Sequence, residues 1–254
     1  MNSSPSPDPV HADPQPHWAG ALSRALLPPL IFSSLCWLAA EISYLFFHAL
    51  AEISSIVVAF TAMVVATTSR RFTRNHFAVF VSVAIGWCAV LDLVHTVAFK
   101  GMGLLPVDSA NPATQLWIIA RLIQAVALVV APLMIVRQVA VARLHLVFGL
   151  LVLACLMAVG AGIFPDAYVD GEGLTPFKVY AEYLVIAMLG ASLVLLWRRR
   201  ELLPRMMLLG MTASVVAMMA RLRKLASADR RKFLPSRSNP LLRGERSSRI
   251  SFWS

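Results

Sequence analysis

Eight ionisable side chains interrupt the long apolar stretches of this sequence. They are Glu41, His48, Glu52, Asp92, His95, Arg121, Lys178 and Glu182. A charged group is costly inside a stretch long enough to cross a membrane, so it usually faces the protein interior, where it pairs or marks a binding site. These residue types allow three kinds of chemistry: binding of a polar ligand, coordination of a metal, and ion pairing between helices, for example of Arg121 with Asp92 or Glu52.

A metal centre would draw on four of these residues. His48 and Glu52 are spaced i, i+4, and Asp92 and His95 are spaced i, i+3, so each pair lies on one helix face. Imidazole nitrogens with carboxylate oxygens suit zinc, iron or copper, and two histidines on adjacent helices could instead hold a haem. Arg121 and Lys178 suit an anionic ligand equally well, so metal or haem is one alternative among several.

The elements that position these residues are predicted to be apolar helices. Hydrophobic residues make up 58% of the chain and charged residues 14%, which excludes a soluble domain of this length for lack of a charged surface. The stretch 28–68 is twice the length of one crossing, so it predicts two helices with a turn near 44–47. Further spans are predicted at 76–99, 112–136, 144–164, 176–197 and 204–220. The predicted fold class is all-α, a polytopic transmembrane bundle of about seven spans.

Local signals refine two of these helices, the fourth and the sixth. Asn111-Pro112 and Thr175-Pro176 each place a capping residue before a proline, which predicts a helix start at both places. Pro132 predicts a kink in the fourth helix, because proline cannot donate a backbone hydrogen bond.

Loop charges predict the orientation. Arginines follow the second, fourth and sixth spans, whereas the alternate loops are acidic or mixed. By the positive-inside rule the arginine loops and the N-terminus are cytoplasmic. All eight ionisable residues then fall in the outer half of the bilayer, which predicts one polar cavity open to the outside.

The net charge of +10 is concentrated in one segment. Residues 221–254 carry ten basic and two acidic residues, or +8 of the total, so the body is nearly neutral and nucleic acid is excluded as a partner. The expected organisation is a disordered tail at 1–24, a transmembrane domain at 25–220 and a basic tail at 221–254.

Cys36, Cys88 and Cys155 lie in separate apolar blocks and are predicted to act as small hydrophobes. Phosphate-loop, nucleophile-elbow and zinc-protease motifs are absent from the sequence, so we expect no enzyme.

Four ordered motifs carry a family resemblance. They are FHALAEISSIVVAF (47–60), LDLVHTVAFKGMG (91–103), ATQLWIIAR (113–121) and GLTPFKVYAEY (173–183), and FPDAYVDGEG (164–173) precedes the last. Together they resemble the third family of bacterial membrane-associated sensor domains. The resemblance implies an eight-helix input domain in the bacterial inner membrane, joined to a cytoplasmic histidine kinase or diguanylate cyclase, in two-component or cyclic di-GMP signalling. The ligand-binding residues that it implies are His48, Glu52, Asp92, His95, Lys100, Trp117, Arg121, Lys178 and Glu182.

The resemblance covers residues 26–216 and then ends, where the basic tail begins. We therefore expect a truncation or frameshift that removes the eighth helix and the output domain. The expected partners are the lipid bilayer, an unknown small ligand and a second copy in a homodimer. A haem- or metal-binding membrane protein and a small transporter are the alternative functions.

Overall fold

The computed structural model describes residues 17–70, 76–105, 108–135, 137, 140–202, 208–213 and 215–220, with side chains from Leu27 onward. Its long helices are α1 (His17–Ile42), α2 (Tyr44–Ser69), α3 (His76–Val97), α4 (Asn111–Val130), α5 (Val141–Gly160) and α6 (Pro176–Arg198). A shorter apolar helix, α7, covers Leu208–Ala220. A two-stranded hairpin, β1 (Tyr168–Val169) and β2 (Gly173–Leu174), is a small addition to the predicted all-α fold.

Five of the helices are long and apolar enough to cross a membrane. These are α2, α3, α5, α6, and α4 together with its continuation to Ile135. In α1 the apolar part with described side chains is Leu27–Ile42. Both this segment and α7 are shorter than the five candidate spans. The all-α class is confirmed, and the count of seven spans stays a prediction.

The N-terminal helix starts earlier than expected. The sequence predicts a disordered tail at 1–24, but α1 begins at His17. Alanine and leucine make up six of the ten residues between 18 and 27, and both favour helix formation. Residues 1–16 and the basic tail at 221–254 lie outside the described residues.

The turn between the first two helices falls at Ser43, one residue before the predicted position. α1 ends at Ile42 and α2 begins at Tyr44. The Ser43 hydroxyl accepts a hydrogen bond from the Phe46 amide at 3.5 Å, so serine caps the second helix.

The chain divides into two compact units, 1–51 and 52–254. The described part of the first contains α1 and the first two turns of α2, where the Tyr44 and His48 rings stack at 6.0 Å. In the second unit α3 and α4 form the centre: α4 packs against α3 and α6, and α3 also packs against α5. Phe77, Ile118 and Leu189 are almost fully buried between these helices.

Two glycines allow close helix contacts in the second unit. A methyl group added at Gly86 of α3 would lie 2.8 Å from the Met63 Cβ of α2. One added at Gly149 of α5 would lie 3.0 Å from the indole ring of Trp87 on α3. Small residues at these positions let helices approach closely, as is common between membrane helices.

The fourth helix changes from α-helix to 3₁₀-helix at the predicted proline. After Val130 the chain tightens into a 3₁₀ turn at Ala131–Ile135, which contains Pro132. Proline has no amide hydrogen for the carbonyl four residues earlier, so the regular α-helix cannot continue unchanged.

The hairpin lies at the end of the bundle where α4 and α6 begin. The Asn111 side chain donates to Asp166 Oδ1 at 2.7 Å and accepts from the amides of Ala167 and Tyr168. The prediction that Asn111 caps α4 is wrong, because the cap position is Ala110. The side-chain amide of Asn111 instead binds the segment that leads into the hairpin. The predicted cap at Thr175 is confirmed, since its hydroxyl accepts from the Lys178 amide.

Candidate functional site

A buried ion pair joins α3 to α4. The Arg121 Nη2 atom lies 2.7 Å from Asp92 Oδ1, and both side chains are largely buried. The other terminal nitrogen of Arg121 donates to Gln124 Oε1, also at 2.7 Å. One guanidinium therefore satisfies a carboxylate and an amide at once, as its fixed fork of donors allows.

A second buried ion pair lies in the first two turns of α6. Lys178 Nζ is 2.8 Å from Glu182 Oε1, and the Glu182 side chain is fully buried. The pair is spaced i, i+4, with both groups on one helix face. Burying these charges is tolerable because each offsets the other.

Trp117 of α4 connects the two pairs. The Arg121 guanidinium carbon lies 5.9 Å from the centre of its ring, and Lys178 Nζ lies 5.7 Å from it. Both distances allow attraction between the cation and the aromatic face. Asp92, Arg121, Trp117, Lys178 and Glu182 thus form one chain of contacts across α3, α4 and α6, called here the charged cluster.

The histidine of α3 is held beside this cluster. His95 Nδ1 lies 2.7 Å from the carbonyl oxygen of Ala113 on α4. A carbonyl oxygen only accepts, so Nδ1 carries the proton, and in the neutral ring Nε2 is the nitrogen able to accept a hydrogen bond or bind a metal. One ligand atom of His95 and a carboxylate oxygen of Glu52 lie within 4.8 Å of each other.

The charged cluster is suited to recognition of a small polar molecule. It offers two cations, two carboxylates and an aromatic face, and its formal charges cancel. A ligand that exchanges contacts with one of the pairs would change how α3, α4 and α6 are held together. The charged cluster thus links three helices through two buried ion pairs and one aromatic ring.

The chain is similar to one known protein family. A family model described as a membrane-associated sensor domain, MASE3, matches residues 39–225, more than half of the chain. The chain belongs to the MASE3 family. This confirms the resemblance seen in the four sequence motifs, and the matched region contains the whole charged cluster. No curated protein and no solved structure matches the chain.

The MASE3 domain brings together five of the nine residues implied by the family motifs, as the charged cluster. His95 and Glu52 approach each other, while His48 lies one helical turn before Glu52 on α2. Asp92, a candidate metal ligand, pairs with Arg121. Glu41, at the end of α1, is exposed.

Lys100 belongs to a different environment. It lies in a 3₁₀ turn after α3, half exposed, and its ammonium is 3.9 Å from the carboxylate of Asp170 in the hairpin turn. This long, solvated ion pair links the turn to the hairpin and contributes little stability.

Sequence reasoning missed three polar contacts of the MASE3 domain. Gln124 supports Arg121, and Gln115 donates to the carbonyl oxygens of Phe164 and Pro165 at 3.0 Å. The indole of Trp87 donates to His145 Nδ1 of α5 at 3.1 Å. A search for uncharged polar residues within apolar helices would have found both glutamines, because buried amides need partners as charges do.

Proposed function

We propose that this chain is a sensory input module that binds a small polar ligand of zero net charge at the charged cluster. The ligand enters from the outer side of the bacterial inner membrane. It exchanges contacts with the two ion pairs and biases the packing of α3, α4 and α6. An output protein, a kinase or cyclase in relatives with such domains, would read this change.

The contact of two cations with one tryptophan is the observation that carries this proposal. Arg121 and Lys178 each have a carboxylate partner and each approach the ring of Trp117. Because the cluster is neutral, a ligand with a net charge would leave a buried charge without compensation, and that is costly. A zwitterion can satisfy a cation and a carboxylate together.

The test is a ligand screen on the purified full chain in detergent. Neutral zwitterionic amino acids, dicarboxylates, diamines and uncharged sugars are compared by the rise that each causes in Tm. We expect a member of the neutral polar classes to raise Tm in the native protein and in Arg198→Gln, an exposed arginine outside the cluster. Arg121→Gln and Lys178→Gln should lose that response. A response that persists in both cluster variants would place the ligand elsewhere.

A metal-dependent sensor is a second candidate, favoured by one observation. Glu52 and His95 bring ligand atoms within 4.8 Å of each other, and nitrogen with oxygen is a common ligand set for zinc. Metal analysis of the purified chain, with a visible spectrum for haem, tests this candidate. Retention of metal by the native protein and its loss in Glu52→Gln would support it, and equal metal content in both would contradict it.

A further inference from the structure

An apolar groove lies between α4 and α5, away from the charged cluster along α4. Its volume is about 720 Å³, and α3 contributes Phe80 to it. The last turns of α4, the 3₁₀ turn that follows and the first turns of α5 form its walls. The proline-induced change after Val130 therefore shapes one end of this groove.

The floor of the groove is buried and its rim is open. Phe80 and Phe148 pack with ring centres 6.0 Å apart and are both buried, as is Ala127. Val126 on one side and Val147 on the other are exposed by 48% and 61%. Both rims lie within helices long and apolar enough to cross a membrane, so the opening faces the region that lipid chains occupy.

Two arginines stand at one end of the groove. Arg137, in the connection after α4, and Arg143, in the first turn of α5, both line it and are both exposed. All of the lining residues belong to the described part of the chain, and none of them is acidic. The groove thus combines a long apolar surface with a cationic end.

We propose that this groove binds one anionic phospholipid. An acyl chain lies on the floor between α4 and α5, and the phosphate is held by Arg137 and Arg143. Guanidinium groups bind phosphate oxygens in pairs, and basic sites between membrane helices recognise anionic headgroups.

The cationic end of the groove favours an anionic lipid over an apolar helix of another protein. Two arginines line this end and no lining residue is acidic, so an anionic headgroup complements them and an apolar helix does not. The groove volume falls in the range of small-molecule pockets, about 300–1,000 Å³. This site is separate from the charged cluster, so it stands independently of the sensory ligand proposed above.

Native mass spectrometry of the full chain tests the headgroup. The protein is mixed with equal amounts of phosphatidylglycerol and phosphatidylcholine that carry the same acyl chains. We expect retention of phosphatidylglycerol, and a loss of this preference by about tenfold in Arg137→Gln/Arg143→Gln. The matched control, Arg198→Gln/Arg199→Gln, removes the same charge elsewhere and should keep the preference.

The acyl chain is tested with a variant that fills the groove. Val147→Trp places a large ring on the rim and should reduce retention of phosphatidylglycerol. Leu150→Trp, exposed on the same helix but outside the groove lining, should leave it unchanged.

Four results would overturn the proposal. The first is equal retention of both lipids by the native chain, and the second is an equal loss of the lipid preference in the two arginine double variants. The third is displacement of the lipid by millimolar inorganic phosphate. The fourth is a lipid-free dimer that dissociates when Arg137 and Arg143 are changed. Displacement by phosphate would mean that the headgroup alone is bound, and the dimer would assign the groove to a second copy.

Discussion

Arg121 makes three interactions from one side chain. It pairs with Asp92, donates to Gln124 and approaches the ring of Trp117. Removing it would leave a buried carboxylate without its partner, and an uncompensated buried charge is among the most destabilising changes known. The residue therefore contributes to the stability of α3 and α4 as well as to the proposed binding of ligand.

We predict that Arg121→Ala lowers the free energy of unfolding by about 3–5 kcal/mol. Arg121→Lys keeps the charge but loses the fork of donors, so its effect should be intermediate. Thermal or denaturant unfolding in detergent measures both. Arg198→Ala, at an exposed position, is the control, with an expected effect within about 0.5 kcal/mol. Equal destabilisation by Arg121→Ala and the control would contradict the structural role.

The sequence predicted part of this cluster and missed part. Arg121 with Asp92 was one of the pairings that residue types and helix depth allowed. The approach of Lys178 to Trp117 was not predicted, since it depends on the rotation of α6 against α4. Side-chain packing decides that rotation, and hydrophobic periodicity is weak in helices that are apolar on all faces.

At the scale of elements, the hairpin depends on one side chain of α4. Asn111 makes one donor and two acceptor contacts with residues 166–168. Its removal would leave two backbone amides without an acceptor, at a cost of about 1–3 kcal/mol if they stay buried. The hairpin would be expected to open locally to let water reach them.

We predict that Asn111→Ala speeds hydrogen exchange at the amides of Ala167 and Tyr168 by about tenfold or more. Thr114→Ala is the matched control on the same helix, because the Thr114 hydroxyl donates only to its own helix at the Ala110 carbonyl. Hydrogen exchange with mass spectrometry resolves the peptide that contains β1. Unchanged exchange in Asn111→Ala would show that the hairpin is held by other contacts.

Gly86 fixes the separation of α2 and α3. Gly86→Ala is predicted to cost about 1–3 kcal/mol, because the new methyl group meets the Met63 Cβ, which cannot rotate away. Combined with Gly86→Ala, the change Met63→Ala would keep a Cβ at the contact, so the strain would remain. Combined with Gly86→Ala, the change Met63→Gly removes that Cβ and should relieve part of the strain. Gly160→Ala has open space around it and is the control. Unfolding in detergent compares the four variants, and equal effects at both glycines would be evidence against close packing.

Apart from the start of α1, helix boundaries were predicted within a few residues, for physical reasons that act locally. Membrane-length apolar stretches, the proline at 176 and the threonine cap before it all fix positions without tertiary information. The hairpin could not be predicted in this way, since its two-residue strands carry no alternation of polar and apolar side chains. Likewise, the role of Asn111 depends on residues more than fifty positions away.

At the scale of the whole molecule, the arginine-rich loops predict which side of the membrane each loop faces. Asp170 lies in the hairpin turn before α6, and Arg199 follows that helix. α6 has 23 residues, or about 35 Å at 1.5 Å per residue, enough to separate the two positions across the bilayer.

We predict that Asp170→Cys reacts with a membrane-impermeant thiol reagent added outside intact cells. Arg199→Cys should react only after the cells are opened. Both variants need a background in which Cys36, Cys88 and Cys155 are replaced by alanine. Labelling of both positions from the same side would show that α6 does not cross, and labelling in the reverse order would overturn the orientation.

The cancellation of formal charges in the cluster has an electrical consequence. Moving one elementary charge across a membrane potential of 100 mV involves about 2.3 kcal/mol of work. Asp92, Arg121, Lys178 and Glu182 sum to zero, so a joint displacement of the cluster through the bilayer field moves no net charge. The resting voltage of the cell then neither favours nor opposes such a joint displacement. We therefore expect the ligand binding proposed above to be independent of the membrane potential.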